Sequence, residues 1–401
     1  MGCEPLVVQR AADAGCGDGI ATGAEVCDGA DVRGATCGQL ASGVVRCAAT
    51  CDGFDLSACV RLVQDAGTLL DAGMNDDAGP DAGLEVVDAG APSSSMALEV
   101  RGGAFALADG GLVDVRGAVS CCGGGYGWPL VDEAWLDLTA ANGITFLHLR
   151  LGPFLTTSTN GETDLAAFGG GYLEAGGKAD LRQFNPRFWT RLRALLRLAR
   201  ARGQWVEVDV IDAWAIKHCR WGDLPGYSAW ERASNVQNDD LCATAGSGPI
   251  APGSVAEAWV RKVVQETGDF DNVLYQDGNE LDLVQGYSPA WTTTMRDLIR
   301  AEEHRLGFGR HLIGTNSNHA TSMRAVDYVE RHQSQPASPA DCLGKPCLVN
   351  EYNPNPPLTA AQLHERFCQA RSNGTTFWYW RHGQRDAELS QSLALVRQGC
   401  P

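Results

Sequence analysis

From about Met96 onward, short apolar segments alternate with longer amphipathic segments. Short apolar runs are typical of buried β-strands, whereas apolar positions three and four residues apart are typical of helices packed on a sheet. The pattern predicts eight strands, over 112–119, 144–151, 204–211, 272–276, 311–316, 326–332, 347–352 and 375–380. It predicts helices before the second, third, fourth, fifth and eighth of these strands, over 131–142, 188–203, 255–267, 290–307 and 359–374.

This alternation indicates the fold class. Strands that alternate with helices favour parallel βα units, and eight such strands favour a closed barrel over an open sheet. No GxGxxG opens a helix after the first strand, and the string GGGYG at Gly123 lacks that spacing, so a dinucleotide-binding fold is disfavoured. We therefore predict an α/β protein in which residues 97–401 form a (β/α)8 TIM barrel.

The first 96 residues differ in texture, since all 11 tryptophans and all eight histidines lie beyond them. Residues 16–59 contain six cysteines and few aliphatic residues, so we predict a small disulfide-rich module that cannot bury a core of its own. Its strings CGDG, EVCDG and AATCDGF resemble the cysteine-rich disulfide repeat of secreted and surface proteins of some bacteria. Residues 60–96 repeat Asp-Ala-Gly five times at irregular spacing, which predicts a flexible linker.

Charge and cysteine content narrow the partners and the compartment. The net charge of −17 argues against nucleic acid and anionic membranes as partners. The chain has no apolar window of about 20 residues, so we expect no transmembrane segment. Fifteen cysteines favour an oxidising compartment and a secreted or cell-surface protein. Gly2-Cys3 resembles the end of a lipoprotein signal, so residues 1–15 are read as a tail with either a lipid anchor at Cys3, as in an outer-membrane lipoprotein, or an unpaired cysteine.

Two Asn-Glu strings carry the candidate chemistry. Asn279-Glu280 follows the apolar run VLY, and Asn350-Glu351 follows CLV, so each glutamate lies at or just past the C-terminal end of a predicted strand. In barrels of this class, active sites lie at that end of the strands. Two carboxylates there are what a retaining glycosidase requires, one to protonate the leaving oxygen and one to attack the sugar carbon.

On these strings the domain resembles the clan A retaining glycoside hydrolases, the superfamily of cellulases and mannanases, with family 5 the nearest. The resemblance implies that Glu280, after the fourth strand, is the acid/base and that Glu351, at the end of the seventh, is the nucleophile. It also matches Arg150 in FLHLRLGPF to the arginine on the family's second strand, and FWYW to its aromatic eighth strand. Asn279 would then bind the 2-hydroxyl of the sugar, and Trp380 would form an apolar floor for the ring.

Two histidines are weaker candidates for substrate binding. His332 ends the sixth predicted strand, where family members hold a His or Tyr beside the nucleophile. His319 follows the fifth strand and has a surface loop histidine as its alternative reading. Leu281 stands where the family has a proline, and Asp212 lies where it has a histidine, so the substrate stays open.

Aromatic residues in two loops have two readings each. Trp128, in the loop after the first strand, lines a sugar subsite or covers the top of the barrel. Trp214, Trp221, Tyr227 and Trp230 follow the third strand, where they form the wall of a sugar-binding cleft or the small core of their own loop.

Polar pairs on two strands also have two readings. His148 and Arg150 share one face of the second strand, and Glu207 and Asp209 share one face of the third. They bind substrate near the barrel mouth, or they form ion pairs that fill the barrel.

Taken together, the sequence predicts a monomeric retaining glycosidase that cleaves β-linked oligo- or polysaccharides without a cofactor or metal. A non-catalytic glycan-binding surface protein on a barrel scaffold is the alternative. Cys219–Cys242 and Cys342–Cys347 are the disulfides that the spacing suggests in the barrel.

Overall fold

The structure is a computed structural model of the whole chain. It describes residues 41–42, 46–47, 54–55, 60–61, 95–121, 133–155, 170–213, 215–217, 226–332, 337–350, 359–377, 379–382, 391, 394–395 and 397–400. The chain divides into two compact units, Met1–Glu85 and Val86–Pro401. In the first, Ala41–Ser42 pairs with Val60–Arg61 and Arg46–Cys47 pairs with Phe54–Asp55, both antiparallel. The predicted module and linker otherwise lie outside the described residues and stay predictions.

The second unit is built on one parallel sheet that closes on itself. Its strands are β1 Gly117–Cys121, β2 Phe146–Arg150, β3 Trp205–Asp209, β4 Val273–Gln276, β5 Ile313–Thr315, β6 Tyr328–His332, β7 Cys347–Asn350 and β8, which comprises Thr376–Phe377 and Tyr379–His382. Each strand pairs in parallel with the next along the chain. The second segment of β8 pairs in parallel with β1, Trp380 opposite Val119, which closes the ring. A TIM-barrel-like α/β fold is therefore confirmed.

Helices connect the strands and cover the outside of the barrel. They are α1 Glu133–Ala141, α2 Pro186–Ala201, α3 Val255–Thr267, α4 Pro289–Leu306, α5 Ala320–Ala325 and α6 Ala360–Ser372. Their starts follow from local chemistry: Asn185 caps α2, and Thr359 with Gln362 forms a capping box at α6. Among the described helices, none is long and apolar enough to cross a lipid bilayer.

Strand alternation divides the buried residues into two cores. Leu147 and Leu149 of β2 belong to the core between strands and helices, whereas Phe146 belongs to a second core with Leu274 of β4 and Leu348 of β7. Successive strand residues face opposite sides, so Phe146, His148 and Arg150 all point into the barrel. The side chains inside the barrel therefore form layers, which are apolar at the N-terminal end of the strands and polar toward the C-terminal end.

Two hairpins were not predicted. Leu98–Arg101 pairs with Ala104–Leu107, and Phe105 of this hairpin packs on Phe146 and Tyr328 with ring centroids 5.7 Å and 5.5 Å apart. It covers the N-terminal opening of the barrel. The second hairpin, Tyr172–Ala175 with Lys178–Phe184, lies between β2 and α2. The predicted first strand was also too early, because Val113 instead hydrogen-bonds to Phe105 of the hairpin.

Disulfides close two parts of the barrel unit. The predicted Cys342–Cys347 bond is present, and Cys368 of α6 is bonded to Cys400. Cys242 is also in a disulfide, and its predicted partner Cys219 lies outside the described residues.

Candidate functional site

The barrel interior holds a cluster of buried ionisable side chains toward the C-terminal ends of the strands. Nε2 of His148 lies 3.0 Å from Oδ2 of Asp209, and its Nδ1 lies 3.4 Å from Glu207 and 3.6 Å from Glu330. Tyr328 donates a 2.6 Å hydrogen bond to Glu207. These side chains are inaccessible to solvent, so His148, Glu207 and Asp209 fill the barrel and do not bind substrate at its mouth. Their contacts differ from the predicted ion pairs, because burial favours the neutral forms of His148 and Asp209.

Burial controls the protonation of this cluster. Loss of water raises the pKa of Asp209 to about 8, and nearby Arg150 only partly opposes the effect. Burial, together with the charges of Glu207 and Asp209, raises the pKa of Glu330 well above its usual range. Burial likewise lowers the pKa of His148 to about 4. Asp209 therefore keeps a proton at neutral pH, and burial likewise favours the neutral forms of Glu330 and His148.

Glu280 lies beyond β4, in a loop whose backbone is tightly constrained. β4 ends at Gln276, and Gly278 has φ +155°, where an added Cβ would lie 2.5 Å from the carbonyl oxygen of Ile211. Only glycine fits so close to the end of β3. Glu280 itself has φ +52°, in the left-handed region that is uncommon for residues other than glycine. Its N–H donates to Oδ1 of Asn316, 2.9 Å away, which fixes the loop against the end of β5.

Carboxylates on either side of Glu280 brace the loop. Asp277 accepts hydrogen bonds from the hydroxyl groups of Thr292 and Thr315, and burial raises its pKa to about 7. Asp282 accepts from Oγ of Ser317 at 2.7 Å and from the backbone N–H of Asn318. Strained backbone of this kind persists only where the surrounding structure determines it, and it occurs preferentially at functional sites.

Two buried amides beside this loop make no hydrogen bond within the part of the chain that the structure describes. Both polar atoms of Asn279, and both of Gln276, lack a partner, and both side chains are inaccessible to solvent. Native proteins rarely leave buried polar groups unsatisfied, and each exception requires an explanation. A polar ligand or water that enters the C-terminal end of the barrel would provide the missing partners for Asn279.

Lys217 lies against Glu280 from the neighbouring strand end. It belongs to a helical turn over residues 215–217, after β3. Its side chain is 5% exposed, and its Nζ lies 3.8 Å from Oε2 of Glu280, whose side chain is 18% exposed. Glu280 is thus reachable from solvent and has a buried cation as its neighbour.

Comparison with known proteins supports the fold and leaves the activity open. No protein-family model matches the sequence, and no curated protein matches it. Among solved structures, a protein from Bacteroides vulgatus that is provisionally assigned to the glycoside hydrolases is similar, with a TM-score of 0.52 at 14% identity over 75% of this chain and 60% of that one. The two share a fold. The chain spans about 60% of the length of that protein.

A family 5 mannosidase from Rhizomucor miehei is also similar, with a TM-score of 0.48 at 12% identity over 77% of this chain and 99% of that one. At identities this low, the likeness concerns the path of the backbone and not the side chains of the site.

Of the remaining predicted site residues, the structure describes some, and others lie outside the described residues. His319 is exposed at the start of α5, with its ring 5.6 Å from that of Tyr287. His332 and Asn350 are opposite each other where β6 and β7 end, and Trp380 lies in β8. The catalytic candidate Glu351 and the aromatic candidates Trp128 and Trp214 lie outside the described residues. The functional assignment of these residues stays a prediction.

Of the aromatic residues after β3, two belong to the core of the loop and not to an open cleft wall. Tyr227 and Trp230 are fully buried. Tyr227 packs edge-on against Phe154 with ring centroids 5.3 Å apart, and Nε1 of Trp230 donates to the hydroxyl of Tyr172. The unpredicted hairpin supplies Tyr172, which explains why the sequence favoured neither reading.

Sequence reasoning missed Lys217, Asp277 and Asn316. Asp277 and Asn316 follow strands in the strings YQDGNE and IGTNSN, so position after a strand could have indicated them. Nothing in the string AWAIKHC marks Lys217, because its relation to Glu280 depends on the packing of two loops.

One set of side chains could hold a metal ion in the described part of the barrel interior. Ligand atoms of His148, Glu207 and Glu330 lie within 4.8 Å of one another. Metal binding requires deprotonated carboxylates, and burial raises the pKa of both glutamates. Cys368 and Cys400, which lie beside His364, are bonded to each other and do not offer thiolates.

Proposed function

We propose that this protein is a retaining glycoside hydrolase that cleaves β-glycosidic bonds in a polysaccharide by double displacement, with Glu280 as acid/base and Glu351 as nucleophile. The observation that carries the proposal is the loop after β4, where a strained and braced backbone presents a solvent-accessible Glu280. The neighbouring Asn279 is buried, and its side chain makes no hydrogen bond to any residue that the structure describes. In barrels of this class, the C-terminal ends of the strands are the place for catalysis.

The order of the two carboxylates along the chain supports this division of labour. Glu351 immediately follows Asn350, the last residue of β7, and Glu280 follows β4. In the mechanism, Glu280 first protonates the leaving oxygen while Glu351 attacks the anomeric carbon and forms a glycosyl ester. Glu280, now a carboxylate, then removes a proton from water, which attacks the same carbon and releases Glu351. The substrate would be a β-linked glycan such as β-glucan or mannan.

The carboxylate pair is tested by activity and by rescue with azide. Glu280→Gln should lower hydrolysis of a β-glycan by roughly 10²- to 10⁴-fold, the usual contribution of a general acid. Glu351→Gln should abolish it. With an aryl glycoside whose leaving group needs no acid, Glu280→Ala plus azide should release a β-glycosyl azide, because azide replaces the water that Glu280 activates. The assignment is wrong if both glutamine variants retain wild-type rates.

Purified protein should first be tested on β-glucan, mannan, xylan and galactan by release of reducing ends. The first product, observed by NMR, should keep the anomeric configuration of the substrate; net inversion would contradict a close carboxylate pair, since retaining pairs are about 5 Å apart. Binding to one of these glycans without hydrolysis would instead favour the non-catalytic surface protein.

We further propose that the protein acts as a monomer outside the cytoplasm, either secreted or held at the cell surface by a lipid anchor at Cys3. The Cys342–Cys347 and Cys368–Cys400 bonds support an oxidising compartment. Cell fractionation, with and without Cys3→Ser, tests the anchor.

A further inference from the structure

We infer that Lys217 sets the pH range of the enzyme by favouring the ionised form of Glu280, so that Glu280 loses its acid proton at a lower pH than it would without Lys217 and Lys217 acts as a positioning residue for the acid/base. This inference rests on the proposed role of Glu280. The ammonium group is 3.8 Å from the carboxylate, and the lysine is almost fully buried.

The backbone, rather than two flexible side chains, defines this contact. The N–H of Ala213 donates to the carbonyl of Asn279 at 3.2 Å, and the N–H of Ala215 donates to the carbonyl of Asp212 at 3.1 Å. The loop after β3 is thus hydrogen-bonded to the loop that carries Glu280, and a helical turn begins directly after this contact. Lys217 therefore starts from a fixed position, and little side-chain freedom is left to lose when the pair forms.

The charge of Lys217 should have a large effect at this distance. An opposite charge within about 4–6 Å lowers the pKa of a carboxylic acid by roughly 1 to 3, and burial of the cation limits screening by salt. Among the described residues, the other titratable groups on the elements around Glu280 include Arg150, Asp209, Asp212, Asp277, Asp282 and His319, and the proposed nucleophile Glu351 is a further carboxyl group. Most of these are carboxyl groups, so removal of Lys217 should shift Glu280 toward its protonated form.

This arrangement has a consequence for catalysis. A general acid must be protonated when the glycosidic bond breaks, so its ionisation produces the alkaline limb of the pH–rate profile. A cation beside Glu280 moves that limb to lower pH. As the pH rises, the wild-type enzyme should therefore lose activity at a lower pH than a variant that lacks the Lys217 charge.

The first test compares pH profiles of kcat/KM for wild type, Lys217→Met, Lys217→Gln and Lys217→Arg. Removal of the charge should raise the midpoint of the alkaline limb by about 1 pH unit or more. Lys217→Arg should leave this midpoint within about 0.3 pH units of wild type, because the charge remains. The acid limb should stay in place. An alkaline limb that is unchanged in folded Met or Gln variants, or that moves equally in the Arg variant, would overturn the inference.

A second readout does not require activity. In protein labelled with ¹³C at the glutamate δ carbons, the resonance that disappears in Glu280→Gln identifies Glu280, and its titration can be followed directly. The midpoint should be higher in Lys217→Gln than in wild type and in Lys217→Arg. If no glycan is hydrolysed but this midpoint moves, the proposed function fails and the control of Glu280 by Lys217 stands. If the midpoint does not move, the inference fails whatever the activity.

Discussion

Phe146 and His148 point into the same barrel from one strand, two residues apart, and their environments are opposite. Phe146 lies in an apolar layer with Trp205, Leu274 and Tyr328, closed from below by Phe105 of the hairpin. His148 lies one layer higher, among carboxyl groups. The N-terminal half of the barrel interior is thus a hydrophobic core, and the C-terminal half holds buried ionisable side chains.

This difference between the two halves of the barrel interior indicates which side chains stabilise the fold and which destabilise it. Apolar side chains in the lower layers contribute through burial and close packing. Buried ionisable groups in the upper layers cost free energy unless they are paired, and they favour their neutral forms. A folded chain retains such a layer where it supports a site, and the two halves therefore respond differently to mutation and to pH.

The largest change in stability is expected from the apolar half. Phe146→Ala removes a ring that packs on Phe105 and Trp205, and it should lower the free energy of unfolding by about 3–5 kcal/mol. Urea denaturation measures this change. The folded variant should keep its glycan affinity, because Phe146 is two layers below the site. A loss under about 1 kcal/mol would show that the lower interior is not the main core.

The polar half should respond to pH in the opposite sense to an ordinary paired carboxylate. The pKa of Asp209 is raised to about 8 by burial, so the folded chain keeps a proton that the unfolded chain has lost. This contribution to stability is complete below the unfolded pKa of about 4 and is lost as the pH rises toward 8. The lowered pKa of His148 acts only below about 6.5, so the window from 6.5 to 8 isolates the carboxyl groups.

Asp209→Asn, which is neutral at every pH, should therefore become more stable relative to wild type across that window. We expect a gain of about 1 kcal/mol or more at pH 8, since displacing a titration by one pH unit is worth about 1.4 kcal/mol. Unfolding free energies at several pH values measure it. The exposed Asp297→Asn is the control and should leave the pH dependence unchanged. If the free energy of unfolding changes equally with pH in Asp209→Asn and in wild type, Asp209 does not hold a proton in the folded chain across this window.

The same contrast explains how much the sequence predicts. Alternating apolar residues in β2 and β3, and amphipathic helices such as α2, indicate the barrel because burial follows a local period. The strand ends likewise locate Glu280. The hairpin around Phe105 was missed because it is short and gains its stability from the barrel bottom. Lys217 was missed because its contact with Glu280 joins loops far apart in the chain, a relation that no local pattern carries.

The smallest effect on stability, with a large effect on function, is expected at Asn279. Its amide is buried and makes no hydrogen bond within the described residues, so an apolar residue of similar shape should remove no hydrogen bond from the folded chain. Asn279→Leu should change the free energy of unfolding by less than about 1 kcal/mol, or raise it. Asn235 is the matched control. It is also fully buried, but its amide nitrogen donates to the carbonyls of Ala229, Glu231 and Asp239, so Asn235→Leu should cost about 2 kcal/mol or more.

The effects of the two variants on hydrolysis should be in the reverse order, with the larger loss in Asn279→Leu. Hydrogen bonds to the sugar's 2-hydroxyl strengthen in the transition state, so Asn279→Leu should lower kcat/KM at least about 10-fold, while folded Asn235→Leu keeps its activity. Denaturation curves and initial rates on one β-glycan measure both quantities. If Asn279→Leu is as destabilising as Asn235→Leu, the amide has a structural partner in solution. In that case the upper end of the barrel is built for stability like the lower end, and the contrast between them does not hold at this residue.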